Sequence, residues 1–420
     1  MQELSIPDFL HRQTAYRDIY EQYATDAAFL WLLRSIAVKQ PHYNKQELGA
    51  LEKRLDAQLN GLMTSLDAGW AACKKGLELE EPGEIFTALV IAIRSHDTNK
   101  IKQAVDAGLS NNLLKPALYS ALAWLPNNLA SPWISRFLNG KDMEHKLLGL
   151  SACSLKRQDP GEVLIQLLQR KECQMLQPLY ARALRLVGEL RRQDCMPQLK
   201  LASQDERPSI KFWSYWSATL LGHKTCVQQL KPFVFDLKSP FQPIALQLCF
   251  RVLPVEEARE WISMLAKDET HSRTIIKATG ILGDPHAVNW LIDKMQDKTL
   301  AKLAGEAFTV ITGADLEKYN LTSELAQHHP LNIDDESIEL DDDENLPYPD
   351  YKKVTKLWRS HGQKFIVGRR YFTGQPINTE LLKATIENGN QRQRYSAALE
   401  LALNDNGFAF ENTKAKVVAS

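Results

Sequence analysis

The 420-residue chain lacks an excess of either charge, with 51 lysines and arginines against 51 aspartates and glutamates. No overall field therefore draws it to nucleic acid or to an anionic membrane, and only local patches could do so. No run of about eighteen apolar residues occurs, so no membrane-spanning helix is expected. The opening Met1-Gln-Glu-Leu-Ser-Ile-Pro-Asp-Phe-Leu10 lacks the basic segment and long apolar core of a signal peptide. Six cysteines (Cys73, Cys153, Cys173, Cys195, Cys226, Cys249) form no C-x-x-C pair and sit among apolar residues. They read as small buried hydrophobes, which suits a reducing cytoplasm.

Signatures of chemistry are scarce as well. The ten histidines form neither H-x-x-x-H nor H-E-x-x-H, and His328-His329 are sequence neighbours before Pro330, a poor geometry for sharing one ion. Asp334–Glu344 holds eight carboxylates in eleven residues but has neither the alternating spacing nor the turn glycine of a calcium loop. There is no G-x-S-x-G, and Gly362, Gly368 and Gly374 fit neither the dinucleotide nor the P-loop spacing. No catalytic residue, metal ligand or cofactor site is assigned, and the expectation is that the chain is not an enzyme.

What is present is helix, at 44% apolar and 24% charged residues. Around residue 283 an apolar helix ends in Gly283, which supplies a positive φ, and Asp284-Pro285 caps and starts the next helix. Val288, Leu291, Ile292 and Met295 recur at helical spacing, and a further helix with Leu303, Ala307, Phe308 and Ile311 closes at Gly313. Aligning the apolar anchor of each second helix with Val288 finds Val227 without a gap. Met196, Val163, Ile134 and Ile101 precede it at offsets of 29 to 33 residues. Helix, Gly-Asp-Pro turn, helix at such a period is the pattern of HEAT-like repeats, since each pair buries its face only against its neighbours. The expected fold is all-α, a right-handed solenoid of about seven such pairs.

The domains expected are a helical cap over 1–83, the solenoid over 84–327 with a last helix at Leu316–Gln327, an acidic Pro-containing linker over 328–350, and a small module over 351–420. In the cap, Asn44 with Glu47 spells a capping box. The module is expected to hold helices at Tyr351–His361, Thr379–Asn388 and Gln391–Leu403, with a β-prone stretch at Lys364–Gly374.

Both ends carry distinctive motifs: Asp26-Ala-Ala-Phe-Leu-Trp-Leu-Leu-Arg34 with Pro41-His42-Tyr43, then Leu346-Pro-Tyr-Pro-Asp350, Gly368-Arg-Arg-Tyr-Phe-Thr-Gly374, and the run from Gln391 to Ala402. In these the chain resembles an uncharacterised proteobacterial HEAT-repeat family. Members of that family often lie beside type VI secretion genes. The resemblance implies an accessory, adaptor or immunity-type role, and carries over no catalytic residue.

Three groups of side chains remain as candidates. Lys211-Phe212-Trp213-Ser214-Tyr215-Trp216 packs aromatics beside a base, as a DNA-lesion glycosylase might on a helical scaffold, yet Phe212, Trp213 and Trp216 also have the spacing of a buried repeat face. Arg182, Arg185, Arg191 and Arg192 form a basic patch for an acidic partner, or a solvated helix edge. Arg369, Arg370 and Tyr371, with Arg392 and Arg394, would converge as a recognition surface, because two arginines near a helix N-terminus oppose its dipole. The function expected is a non-catalytic, cytoplasmic protein-binding scaffold or adaptor, whose client is a type VI secretion component or effector. The other readings are an enzyme on the same scaffold (a DNA-lesion glycosylase or a tetrapyrrole lyase) or a toxin-occluding immunity protein.

Overall fold

The computed structural model describes residues 6–323, 343–404 and 407–417, with side chains from Tyr16 onward. Among these residues there are twenty-two α-helices and one two-stranded antiparallel ladder (Tyr371–Phe372 with Gln375–Pro376), and Thr322 forms an isolated bridge with Pro349. The protein is all-α. No described helix is long and apolar enough to cross a membrane.

Seven helix pairs follow one another. They are Pro82–Arg94 with Thr98–Leu109, Lys115–Trp124 with Asn127–Asn139, Met143–Lys156 with Glu162–Gln169, and Gln177–Glu189 with Met196–Ala202. Next come Pro208–Leu220 with the 3-10 run Lys224–Leu230, Gln242–Val252 with Val255–Leu265, and Ser272–Leu282 with Val288–Lys294; Ala301–Thr312 succeeds them. Each of the six sequence anchors, Ile101 through Val288, falls on a second member. The period stays near thirty because several second members are short: Met196–Ala202 and Val288–Lys294 have seven residues each.

The first members are the core. Every residue from Ile85 to Ile93 is buried, as is every one from Lys146 to Ser154. A helix that is apolar around its whole circumference must be covered on all sides. The second members are amphipathic: in Thr98–Leu109 only Ile101, Ala104, Val105 and Gly108 are buried.

The chain divides into two compact units, and the division falls within the stretch expected as one domain, between Ala202 and Ser203. The first unit comprises residues 6–39, 43–202 and a returning segment, 411–417. Its cap helices Ile6–Ala37 and Leu66–Leu77 pack on Pro82–Arg94, and successive first members then pack on one another as far as Gln177–Glu189. The capping box forms: Asn44 accepts from the amides of Gln46 and Glu47, and Glu47 accepts from the Asn44 amide at 2.8 Å.

The second unit comprises residues 40–42 and the described part of 203–410. Within it Gln242–Val252, Ser272–Leu282 and Ala301–Thr312 pack in succession. The segment expected as a separate module belongs to this unit as far as Phe410, and Gln391–Asn404 packs on Pro208–Leu220 and Gln242–Val252. Two further expectations fail here. No helix starts at Leu316: Asp315 caps the amides of Glu317 and Lys318, and Asn320 then takes a left-handed φ of 53° that stops the turn. Residues 324–327 lie outside the described residues. The linker is not free over 343–350 either, because Asp343 pairs with Arg273, Ser323 donates to Tyr348 O, and Asp350 donates to Leu321 O at 2.7 Å. The rest of the expected linker, 328–342, lies outside the description.

Candidate functional site

The aromatic segment is core. Phe212, Trp213 and Trp216 are buried, and Phe212 stacks on Phe241 with ring centres 4.5 Å apart. Phe233 packs against both Phe212 and Phe241. No aromatic cleft is left there for an extruded base. Five of the six cysteines are buried, and burial pushes the Cys73 and Cys153 thiols up to about 12 and Cys195 up to about 11. Among the described residues no three His, Cys, Asp or Glu side chains gather as they would around a metal ion.

The first basic patch turns inward. Glu189, on Gln177–Glu189, is buried, and Arg185 donates to it at 2.8 Å, Arg157 at 3.1 Å and Ser154 at 2.5 Å. Arg182 reaches Ser154 Oγ at 3.1 Å. Burial opposes the charge on Glu189, but Arg185, Arg157 and Arg182 outweigh it and hold the carboxyl below its ordinary value. Desolvation, reinforced by Arg185, lowers Arg182 to about 10. Arg191 takes the left-handed conformation at φ 57° where its helix ends. Arg192 forks Asp194 and Asp159, both at 2.7 Å, and so ties two neighbouring turns together. Arg182 and Arg185 thus belong to a network around one carboxylate, Glu189, rather than to a solvated edge.

The second candidate surface is a closure. Arg370 donates to Leu282 O at 3.0 Å and Arg251 O at 2.9 Å, and grips both oxygens of Glu400 at 2.8 Å. Its neighbour Tyr371 is buried and donates its amide to Gly283 O at 2.8 Å. Thr373 and Gly374, both at positive φ, turn the hairpin and donate to Val310 O at 2.7 Å and Ile311 O at 3.2 Å. Thus one hairpin satisfies carbonyls that three consecutive first helices leave open at their C-terminal ends. Gly283 and Gly313 are needed twice there. Their φ values of 75° and 70° suit glycine, and a Cβ on either would strike a hairpin carbonyl, that of Tyr371 or of Thr373.

The dipole conflict at Gln391–Asn404 is also resolved internally. Arg394 folds back to donate to Ile386 O at 2.8 Å, near the end of the preceding helix Thr379–Asn388, where a cation is favoured. Arg392 pairs with Glu306 at 2.7 Å. Of the nine sequence candidates, Arg369 alone is exposed. The expected recognition surface is not formed by Arg370, Tyr371 and Arg394, which hold the second unit together.

An exposed basic face escaped the sequence reading. On helix Tyr351–His361 the residues Lys352, Lys356 and Arg359 share one stripe with Tyr351, Thr355 and Ser360, and all three cations are exposed. No carboxylate pairs with them among the described residues. The opposite side of the helix is anchored by buried Val354 and by Trp358 against Phe308 and Phe365. The signal was available: the sequence has no Asp or Glu from Tyr351 to Thr379, but seven Lys and Arg.

The chain matches no family model, no curated protein and no solved structure.

Proposed function

We propose that the protein is a non-catalytic protein-binding scaffold, a right-handed solenoid of HEAT-like helix pairs. The observation carrying this reading is the division of labour within each pair. First helices are mostly buried, two of them over nine consecutive residues, whereas second helices keep one polar face outward, repeated every thirty-odd residues. A client protein would lie across those repeated faces, gaining many modest contacts rather than filling one deep pocket. The exposed cations Lys352, Lys356, Arg359 and Arg369 would favour an acidic patch on that client and speed its encounter. The family resemblance supplies the context: an accessory role in type VI secretion, in the bacterial cytoplasm, with a secretion component or effector as client. A toxin-occluding immunity role is a narrower form of the same reading. The enzyme reading has lost its aromatic cleft to the core.

The test is capture from cells followed by lysine cross-linking. The reading expects one reproducible client, cross-linked through second-helix lysines such as Lys102 and Lys200. It further expects a triple Lys352→Glu, Lys356→Glu, Arg359→Glu variant to weaken capture about tenfold. Turnover of a small molecule by the purified chain, or no client at all, would refute it.

A further inference from the structure

The returning segment Glu411-Asn-Thr-Lys-Ala-Lys-Val417 forms no helix and lies in the first unit as a bound peptide would. Two of its contacts read backbone alone. Arg34, fixed by two bonds to Glu52 at 2.8 and 3.0 Å, donates to Lys414 O at 2.8 Å, and Glu52 accepts the Val417 amide at 2.7 Å. One contact reads a side chain: Lys416 Nζ pairs with Asp56 at 2.6 Å and sits 4.3 Å from the ring centre of Trp124. Trp124 in turn donates to Asp56 at 3.0 Å, so the two groups that meet the lysine are also bonded to each other. Asn412 donates to Leu155 O at 2.8 Å, and Val417 lies over Gly49, where a Cβ would still have ordinary clearance at 3.7 Å. Main-chain bonds for affinity beside a pocket for one side chain is the usual division in peptide recognition, and a cation over indole is the strongest of the cation–π pairs. Thr413 is buried, whereas Lys414 and Ala415 are exposed and Asn412, Lys416 and Val417 are half-buried.

We propose that this groove, bounded by Arg34, Glu52, Asp56 and Trp124, is a peptide-binding site filled in cis by residues 412–417. Its exchangeable ligand is an extended partner segment carrying a lysine followed by an aliphatic residue. The inference rests on the scaffold reading, whose client it would describe, but is tested without any client. In the full chain, Lys416→Glu reverses the charge facing Asp56, and Val417→Pro removes the amide that Glu52 accepts. A labelled peptide of residues 411–417 should bind this double variant about tenfold more tightly than the parent, whose groove is occupied, as read by fluorescence anisotropy. Adding Asp56→Ala should then weaken the peptide about tenfold. The proposal is overturned if the double variant keeps its helical signal yet binds no peptide up to about 1 mM. It is equally overturned if the double variant unfolds, because the segment would then be a fixed part of the unit. Failure to find a client refutes the scaffold alone; failure of the peptide refutes the groove alone.

Discussion

Three first helices in each unit end in the same left-handed conformation but with different residues. In the first unit the left-handed positions are held by His96, Arg157 and Arg191, at φ of 52° to 57°. In the second they are held by Gly222, Gly283 and Gly313. A non-glycine residue costs about 1–2 kcal/mol in this region, so glycine is the cheaper choice wherever nothing else intervenes. In the second unit a hairpin backbone lies directly on Gly283 and Gly313 and leaves no room for a Cβ. In the first unit the Arg157 side chain is put to use, reaching Glu189 from its strained position. The residue at a turn thus reports what packs over it.

Substitutions at these closures should separate the two units. The largest effect is expected from Arg370→Ala, which leaves Glu400 with only Arg251 and Asn404 and unsatisfies two helix-end carbonyls. Loss of one partner from a buried pair costs about 3–5 kcal/mol. Hydrogen exchange should accelerate across the described part of 203–410 and leave 43–202 unchanged. Arg370→Lys should rescue little, since an ammonium cannot fork a carboxylate.

Glu189→Gln is its counterpart in the first unit, at about 3 kcal/mol near neutral pH by denaturant unfolding. Because the folded state holds Glu189 below its ordinary value of 4.5, its contribution is complete above that pH. It is then lost as pH falls through the lower folded value. The variant should lose that acid dependence. Glu52 acts in the opposite sense: burial raises its pKa against the pull of Arg34, so its own contribution is lost as pH rises. The comparison of variant with parent therefore isolates Glu189.

Gly283→Ala should cost about 1–3 kcal/mol, as strain at a positive φ compounded by displacement of the hairpin, measured as a drop in Tm. His96→Gly should shift stability by no more than about 1 kcal/mol, since relief at φ 57° is offset by a looser unfolded chain.

Much of this architecture was legible in the sequence because it is local. The capping box at Asn44, the glycine stops at 283 and 313, and the helices Tyr351–His361 and Thr379–Asn388 each depend on residues a few positions apart. The repeat anchors were legible because an apolar residue recurs at a near-constant offset on each second helix. Arg370 and Arg392 were misread because their partners are distant in the chain: Arg370 meets Glu400 thirty residues on, and Arg392 meets Glu306 eighty-six residues back. A charge count by residue type cannot tell an arginine answered by a buried carboxylate from one facing water. Nor did any local pattern mark 411–417 as a segment that returns to the first unit.

The account turns on which late segments are built in and which only rest in place, and amide exchange measured residue by residue distinguishes them. The Tyr371 and Thr373 amides, bonded to Gly283 O and Val310 O, should exchange only with global unfolding of the second unit, whereas the Val417 amide should exchange through a smaller local opening. Rapid exchange at Tyr371 and Thr373, or equal protection at all three, would contradict it.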